Sequence, residues 1–210
     1  MSTPAARLAA GAAQLGVPLD EAQVTKLQRL SAELLRWNQA YNLTAITDPG
    51  EVLTHHLLDS LSAQPDLAGQ EIADVGTGAG FPGLPLAIVN PQRRFTLIDA
   101  VDKKLRFIAH AARELGLQNV TTRHARVEDL QPAQAFDTVM ARAFAPLPRM
   151  LELVAPLCSG ATVILAMVGR WPPRDAAESE GVPPAWQLLR QRRVEVPGLE
   201  AERHILLLSR

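Results

Sequence analysis

The sequence predicts a doubly wound α/β fold: a seven-stranded, mostly parallel sheet with a reversed last strand, preceded by a helical N-terminal region. Three observations predict it. Short apolar runs alternate with helical stretches from about residue 70 onward, which implies right-handed βαβ crossovers. A glycine-rich turn follows the first of those runs and opens a helix. Two final strands joined through Pro197-Gly198 read as an antiparallel hairpin at the sheet edge.

The elements can be justified in chain order. Met1 to Leu15 is Ala-rich and reads as a helix closed by Gly16, with Pro18 behind it. Asp20 can cap a second helix, in which Val24, Leu27, Leu30, Leu34, Leu35 and Trp37 recur with helical spacing to about Asn38. A turn region, Tyr41 to Pro49, leads into a third helix through Val52, Leu53, Leu57, Leu58 and Leu61 that stops near Pro65. The predicted strands are Glu71 to Val75, Phe95 to Asp99, Asn119 to Arg123, Phe136 to Ala141, Thr162 to Met167, Gln187 to Val196 and His204 to Ser209. Helices at Gly83 to Val89, Lys103 to Leu115 and Leu147 to Leu157 lie between the parallel strands. After Gly169 the pattern breaks into Trp171-Pro172-Pro173 and an acidic, helix-like segment.

The 210 residues suit one sizeable core. The expected division is a helical region over 1–65 packed on a cofactor-binding domain over 66–210. One cysteine excludes an intramolecular disulfide scaffold and a Cys-clustered zinc site. No apolar run reaches the roughly 18 residues of a membrane-spanning helix. The first 16 residues lack the basic flank and apolar stretch of a secretory signal. The expectation is a cytoplasmic protein with no membrane and no metal partner.

The net charge is −1, but it is unevenly spread. Residues 1–91 carry 4 Lys and Arg against 9 Asp and Glu, residues 92–149 carry 10 against 6, and residues 150–210 carry 7 against 7. The middle third is basic. Only Lys26, Lys103 and Lys104 are lysine; the other cations are arginine, which makes planar bidentate contacts and stacks on bases.

The turn reads Asp74-Val75-Gly76-Thr77-Gly78-Ala79-Gly80-Phe81-Pro82-Gly83. Its glycines allow positive φ and close backbone approach to a ligand. Asp99 ends the second strand, where a carboxylate can accept from both ribose hydroxyls of a nucleoside. A dinucleotide would bring a pyrophosphate that nearby Asp74 repels. S-adenosyl-L-methionine has no phosphate and carries an ammonium and a sulfonium, which a carboxylate favours. Asp74 therefore tilts the reading from a nicotinamide-dependent oxidoreductase to a Rossmann-like class I methyltransferase fold, whose usual sheet has a reversed final strand.

The residues also bear on the methyl acceptor. Methylation at cytosine C5 needs a cysteine nucleophile. Cys158, between a helix and the fifth strand, reads as a packed or loop thiol. Exocyclic amine methylation usually relies on an Asn/Asp-Pro-Pro-aromatic turn after the fourth strand. Here that strand ends Ala141-Arg142-Ala143-Phe144-Ala145-Pro146. Arginine cannot act as a base at neutral pH. It can bind a phosphate or base edge, orient the cofactor carboxylate, or form a structural salt bridge. This suits a nucleophile with its own lone pair, such as guanine N7. His55 and His56, lacking a spaced Cys or carboxylate partner, read as packing or RNA contact.

Several stretches together closely resemble the RsmG (GidB) family of bacterial 16S rRNA guanine-N7 methyltransferases. They are Trp37-Asn38-x-x-Tyr41-Asn42-Leu43-Thr44, His56-Leu57-Leu58-Asp59-Ser60-Leu61, the glycine turn, Ala125 to Asp129, Arg142-Ala143-Phe144-Ala145 and Glu202-Arg203-His204. The resemblance covers about residues 25 to 210. It implies methylation of a guanine in the 530 loop of 16S rRNA, at rRNA position 527. The donor would be S-adenosyl-L-methionine and the product S-adenosylhomocysteine. The partner would be 16S rRNA in the small ribosomal subunit or its assembly intermediate, and the enzyme a monomer.

The expected cofactor site comprises Asp74, Gly76, Thr77, Gly78, Gly80 and Phe81, then Asp99 and Ala100, then Arg126, Val127 and Glu128 beside the adenine, and Arg142. Arg142 is also the expected catalytic residue, at the acceptor mouth. Lys103, Lys104, Arg106, Arg123 and His204 are candidate RNA contacts. The chain departs from the family in one place. Where the family usually has Leu-Lys-Gly after the fifth strand, this chain reads Met167-Val168-Gly169-Arg170, with Arg170 or Arg174 as possible substitutes for the missing lysine. A small-molecule methyltransferase, or an RNA-binding protein that retains the fold without activity, is the alternative.

Overall fold

The computed structural model describes residues 3–130, 135–171 and 181–210. The predicted acidic segment after Trp171, with Arg174, falls largely outside them. Seven strands form one sheet: β1 (Glu71–Val75), β2 (Arg94–Asp99), β3 (Val120–His124), β4 (Thr138–Arg142), β5 (Val163–Val168), β6 (Gln187–Val194) and β7 (Arg203–Ser209). Their order is β3-β2-β1-β4-β5-β7-β6. The first five run parallel, whereas β7 is antiparallel to both β5 and β6. The predicted fold class and hairpin are thus as observed. Strand order reverses on either side of β1, and that switch point opens a crevice beyond the carboxyl ends of β1 and its neighbours.

Alternation along each strand divides the core between two faces. Ile72, Leu97, Met140, Leu165 and Ile205 face one cluster, which α5 (Gly83–Val89) and α6 (Asp102–Glu114) help to build. Ala73, Ile98, Val139, Ile164 and Leu206 face the other, under α7 (Leu147–Val154). The N-terminal helices join the first cluster through Leu8, Leu27, Leu30 and Leu34, all fully buried. They are α1 (Pro4–Gln14) and α2 (Glu21–Tyr41).

Local chemistry explains the boundaries. Asp20 and Gln23 form a reciprocal capping box at the start of α2. The helix runs three residues beyond the expected Asn38 and stops where Asn42 turns left-handed. Asn38 then fastens the following turn: its Oδ1 accepts from the backbone of Leu43 and Thr44, and its Nδ2 donates to the Thr44 carbonyl. The predicted third helix exists but is not uniformly α-helical. It passes from α3 (Pro49–Glu51) through a π-helical stretch (Val52–Leu58) into α4 (Asp59–Leu61). A wider turn re-aims the side chains it carries, and such stretches recur at functional sites. Apolar spacing does not distinguish it from an α-helix. The predicted helix over Leu147 to Leu157 tightens into a 3₁₀ turn at Ala155–Leu157, where Pro156 has no N–H to continue the ladder.

The fourth strand starts at Thr138, two residues after the expected Phe136 and directly after Asp137. Its Oδ2 accepts from the backbone of Gln70 and Glu71, fastening the entry of β1 to that of β4. Gly69 makes room, since a Cβ there would lie 2.2 Å from the Cβ of Asp137. The Glu71 and Gln70 N–H groups hold the Asp137 carboxyl below its ordinary range. A depressed carboxylate contributes stability above its unfolded pKa and loses it as pH falls through the folded value. Asp137→Asn is therefore expected to lower the urea midpoint at pH 7, with the gap to wild type closing as pH falls below about 4.

Candidate active site

At the carboxyl end of β1 the chain turns through three glycines with positive φ: Gly76, Gly78 and Gly80. Gly76 combines a φ of +65° with close packing, because a Cβ there would lie 2.3 Å from Cδ2 of Phe144. Asp74, fully buried, braces this turn. Its Oδ2 accepts from Thr77 Oγ1 at 2.6 Å and from the Gly83 N–H at 2.8 Å. Its Oδ1 is buried with no hydrogen-bond partner. Burial pushes the Asp74 carboxyl up to about 6, against the bonds from Thr77 and Gly83.

Two cavities flank the turn and share Gly76 and Ala145. The smaller, about 350 Å³, is lined by Asp99, Ala100, Arg126, Val127 and Glu128, as the sequence predicted for a nucleoside. Asp99 is held by the N–H groups of Gly78 and Val101, each at 2.9 Å, one on each carboxylate oxygen. Each oxygen keeps a further lone pair for a ribose hydroxyl.

The larger cavity, about 920 Å³, is lined by Thr77, Gly78, Phe81, Lys104 and Arg142, together with Thr44, His56 and Asp59 from the N-terminal region. Arg142 closes the end of β4. Its Nη1 donates to Asp59 Oδ2 at 2.7 Å and to the His55 carbonyl at 2.9 Å. Asp59 Oδ1 takes Arg203 Nε at 3.0 Å, so one buried carboxylate holds two arginines. Arg142 thus combines two of the sequence expectations, an ion pair and a place at the mouth. His56 stacks on Phe81, with ring centroids 4.7 Å apart. Its Nε2 lies 2.9 Å from Thr44 Oγ1 and its Nδ1 3.5 Å from Arg142. Burial, then the charge of Arg142, push the His56 imidazole down to about 4.

Other expected residues are placed differently. Asp74 and Gly80 line neither cavity, and Asp74 is fully buried behind the turn that it braces. Lys103 donates to the Tyr41 carbonyl at 2.8 Å. Arg106 pairs with Asp102 on the exposed face of α6, and Arg123 is exposed on the edge strand β3. His204 bonds the Gly169 carbonyl and lines neither cavity. Its neighbour Arg203 lines the larger one, because alternation along β7 sends adjacent side chains to opposite faces. Val168 and Arg170 both line the larger cavity, and Arg170 lies 3.7 Å from Glu202. Cys158 bonds the Val154 carbonyl and is pushed up to about 11 by burial, in keeping with a packed thiol. Sequence reasoning did not single out Asp59 as a site residue. Its signal is a carboxylate inside the apolar run Leu57-Leu58-Asp59-Ser60-Leu61. Among the described residues no three His, Cys, Asp or Glu side chains gather as a metal site would require, and no helix is long and apolar enough to cross a membrane.

The GidB family, described as rRNA small subunit methyltransferase G, matches residues 23–206. The chain belongs to that family. It is 46% identical over 210 residues to ribosomal RNA small subunit methyltransferase G of Chromohalobacter salexigens, covering 99% of each chain. It is 44% identical over 193 residues to the protein of that name from Aeromonas salmonicida, covering 92% of this chain and 91% of the relative. In fold it is similar to the crystal structure of a SAM-dependent methyltransferase from Aquifex aeolicus. The TM-score is 0.56 at 18% identity, over 78% of this chain and 94% of that one. The expected class I fold and S-adenosyl-L-methionine as cofactor are both borne out, and the protein is an S-adenosylmethionine-dependent rRNA methyltransferase.

The residues fit that donor. A Cβ at Gly78 would meet nothing within 4 Å, Asp74 Oδ1 lacks a partner, and Asp99 opens onto the smaller cavity. Gly76→Ala is expected to weaken S-adenosylmethionine binding at least about tenfold in calorimetry while far-UV circular dichroism stays native, because the left-handed turn must shift. His56 should titrate by NMR well below the ordinary 6.5, with a midpoint near 4. The unfolded chain binds its proton first, so this group's contribution to stability is complete above 6.5 and declines as pH falls toward 4.

Proposed function

We propose that this enzyme transfers a methyl group to N7 of the guanine at position 527, in the 530 loop of 16S rRNA. The proposed substrate is the small ribosomal subunit or its assembly intermediate. The enzyme acts as a cytoplasmic monomer without a metal. Residues 66–210 form the methyltransferase domain, and residues 1–65 form a helical region packed on it.

The observation that carries this reading is the state of the acceptor mouth. Arg142 stands there as a fixed cation, with Nη1 committed to Asp59 and the His55 carbonyl. It cannot remove a proton. His56, the nearby imidazole, is too weakly basic at neutral pH to do so. An acceptor that must first lose a proton is poorly served by this mouth, whereas guanine N7 offers a lone pair directly.

S-adenosylmethionine, when bound, supplies a methyl group on a cationic sulfur that such a lone pair can displace. The chain's residues supply alignment. The glycine turn gives backbone room, Asp99 accepts from the ribose, and Val127 with Glu128 border the adenine. Arg142 keeps donors free for an acceptor oxygen on the base or on the cofactor carboxylate. The base reaches this mouth only when unstacked from its loop.

The test is incubation with labelled S-adenosylmethionine and small-subunit particles from a strain lacking the gene, followed by mapping of the modified base by chain scission at 7-methylguanine. Label at that one guanine is expected, with Arg142→Ala losing at least about a hundredfold in rate. Label on another base, or none where a positive-control relative works, would overturn the reading.

A further inference from the structure

The Trp37-Asn38-x-x-Tyr41 stretch is not used by the chemistry above, although it ends two residues before Leu43, which lines the larger cavity. Phe107 is fully buried in the core. Trp37 meets it edge-on, with ring centroids 5.7 Å apart, and Tyr41 stacks on Trp37 at 5.1 Å. The three rings form a ladder from the core to the surface. Its last rung, Tyr41, is 41% exposed, one of only three large hydrophobic side chains so exposed among the described residues. A second is Val101, at the start of α6. With Trp37 on one side of the Tyr41 ring, that exposure leaves the other side to solvent.

The backbone that carries this ring is fixed from both directions. Lys103 donates to the Tyr41 carbonyl, and Asn42 turns the chain out of α2 immediately afterwards. Leu43, Thr44 and Lys104 then line the larger cavity. The open ring therefore lies two residues before the cavity wall, with Lys103 bonded to its own carbonyl, while Lys104 lines the cavity 3.7 Å from Asp99 Oδ2. An open aromatic face beside a cation is the pattern that holds an unstacked nucleotide, the ring taking the base and the ammonium group a phosphate.

We propose that Tyr41 is the stacking platform for a nucleotide adjacent to the target guanine, and that Lys103 holds the phosphate between them. This rests on the rRNA reading above and extends it to a residue outside the cofactor site. When the target guanine leaves its stack, its neighbour loses a stacking partner too. The end of the ladder offers a replacement, which keeps the opened loop from closing. Tyr41 is thus a positioning residue, acting on how the substrate is held.

The experiment measures binding of unmodified small-subunit particles by fluorescence anisotropy, alongside methylation kinetics and S-adenosylmethionine affinity. Tyr41→Ala and Tyr41→Leu should each weaken particle binding about tenfold and raise KM in parallel, as expected for loss of one stacked base. In both, kcat and S-adenosylmethionine affinity should stay within about twofold, and Tyr41→Phe should restore particle binding. Tyr41→Leu guards against a folding defect, since it still covers Trp37 but offers no aromatic face. The proposal is overturned if Leu binds as tightly as Tyr, if Phe fails to rescue, or if S-adenosylmethionine affinity falls in step with particle affinity. A wild-type protein that binds particles but transfers no methyl group would count against the proposed reaction alone, and the binding comparison would still decide the role of Tyr41.

Discussion

The active site depends on one buried carboxylate. Asp59 sits on the helical stretch that begins at Pro49, yet its two oxygens hold Arg142 at the end of β4 and Arg203 at the start of β7. Those strands lie on either side of β5 in the sheet. The N-terminal region is thereby tied to the mouth of the methyltransferase crevice. Removing the carboxylate would leave two partly buried guanidinium groups without their counter-charge, which is far more damaging than loss of a surface pair. The π-helical turn before Asp59 belongs to the same constraint. The same helical stretch supplies the His55 carbonyl to Arg142 and sets the His56 ring on Phe81.

The sheet and the cofactor turn were legible because they rest on short-range rules. Helix α5 was predicted over the residues it occupies, and strand β1 likewise. Glycines following a strand, with an acid at the end of the next, define a nucleoside crevice by covalent spacing alone. Asp99, Val127 and Glu128 accordingly gather on one cavity. The terminal hairpin was legible from Pro197-Gly198 and two flanking apolar runs.

The contents of the acceptor mouth were less legible because they depend on long-range contacts. Asp59 and Arg142 are 83 positions apart, and Asp59 and Arg203 are 144 apart. No local pattern pairs them. The choice between Arg203 and His204 turned on strand phase, and a shift of one residue exchanges the faces. The basic middle third proved to be divided. Lys104 and Arg142 reach the larger cavity, Arg126 and Arg149 the smaller, while Arg94 and Arg106 serve exposed ion pairs. A regional charge excess therefore says little about which cations meet a ligand.

The unpartnered oxygen of Asp74 carries a thermodynamic consequence. Its carboxyl is raised to about 6 by burial, so at neutral pH the folded, ligand-free chain keeps an ionised group where a protonated one would be easier to accommodate. Relative to the unfolded chain, this group makes the fold less favourable as pH rises from its ordinary carboxylate range toward 6. A cation near the turn would reverse that sign by favouring the ionised form. Folding and donor capture then share one titration, and the protein should gain more thermal stability from its donor above pH 6 than below it.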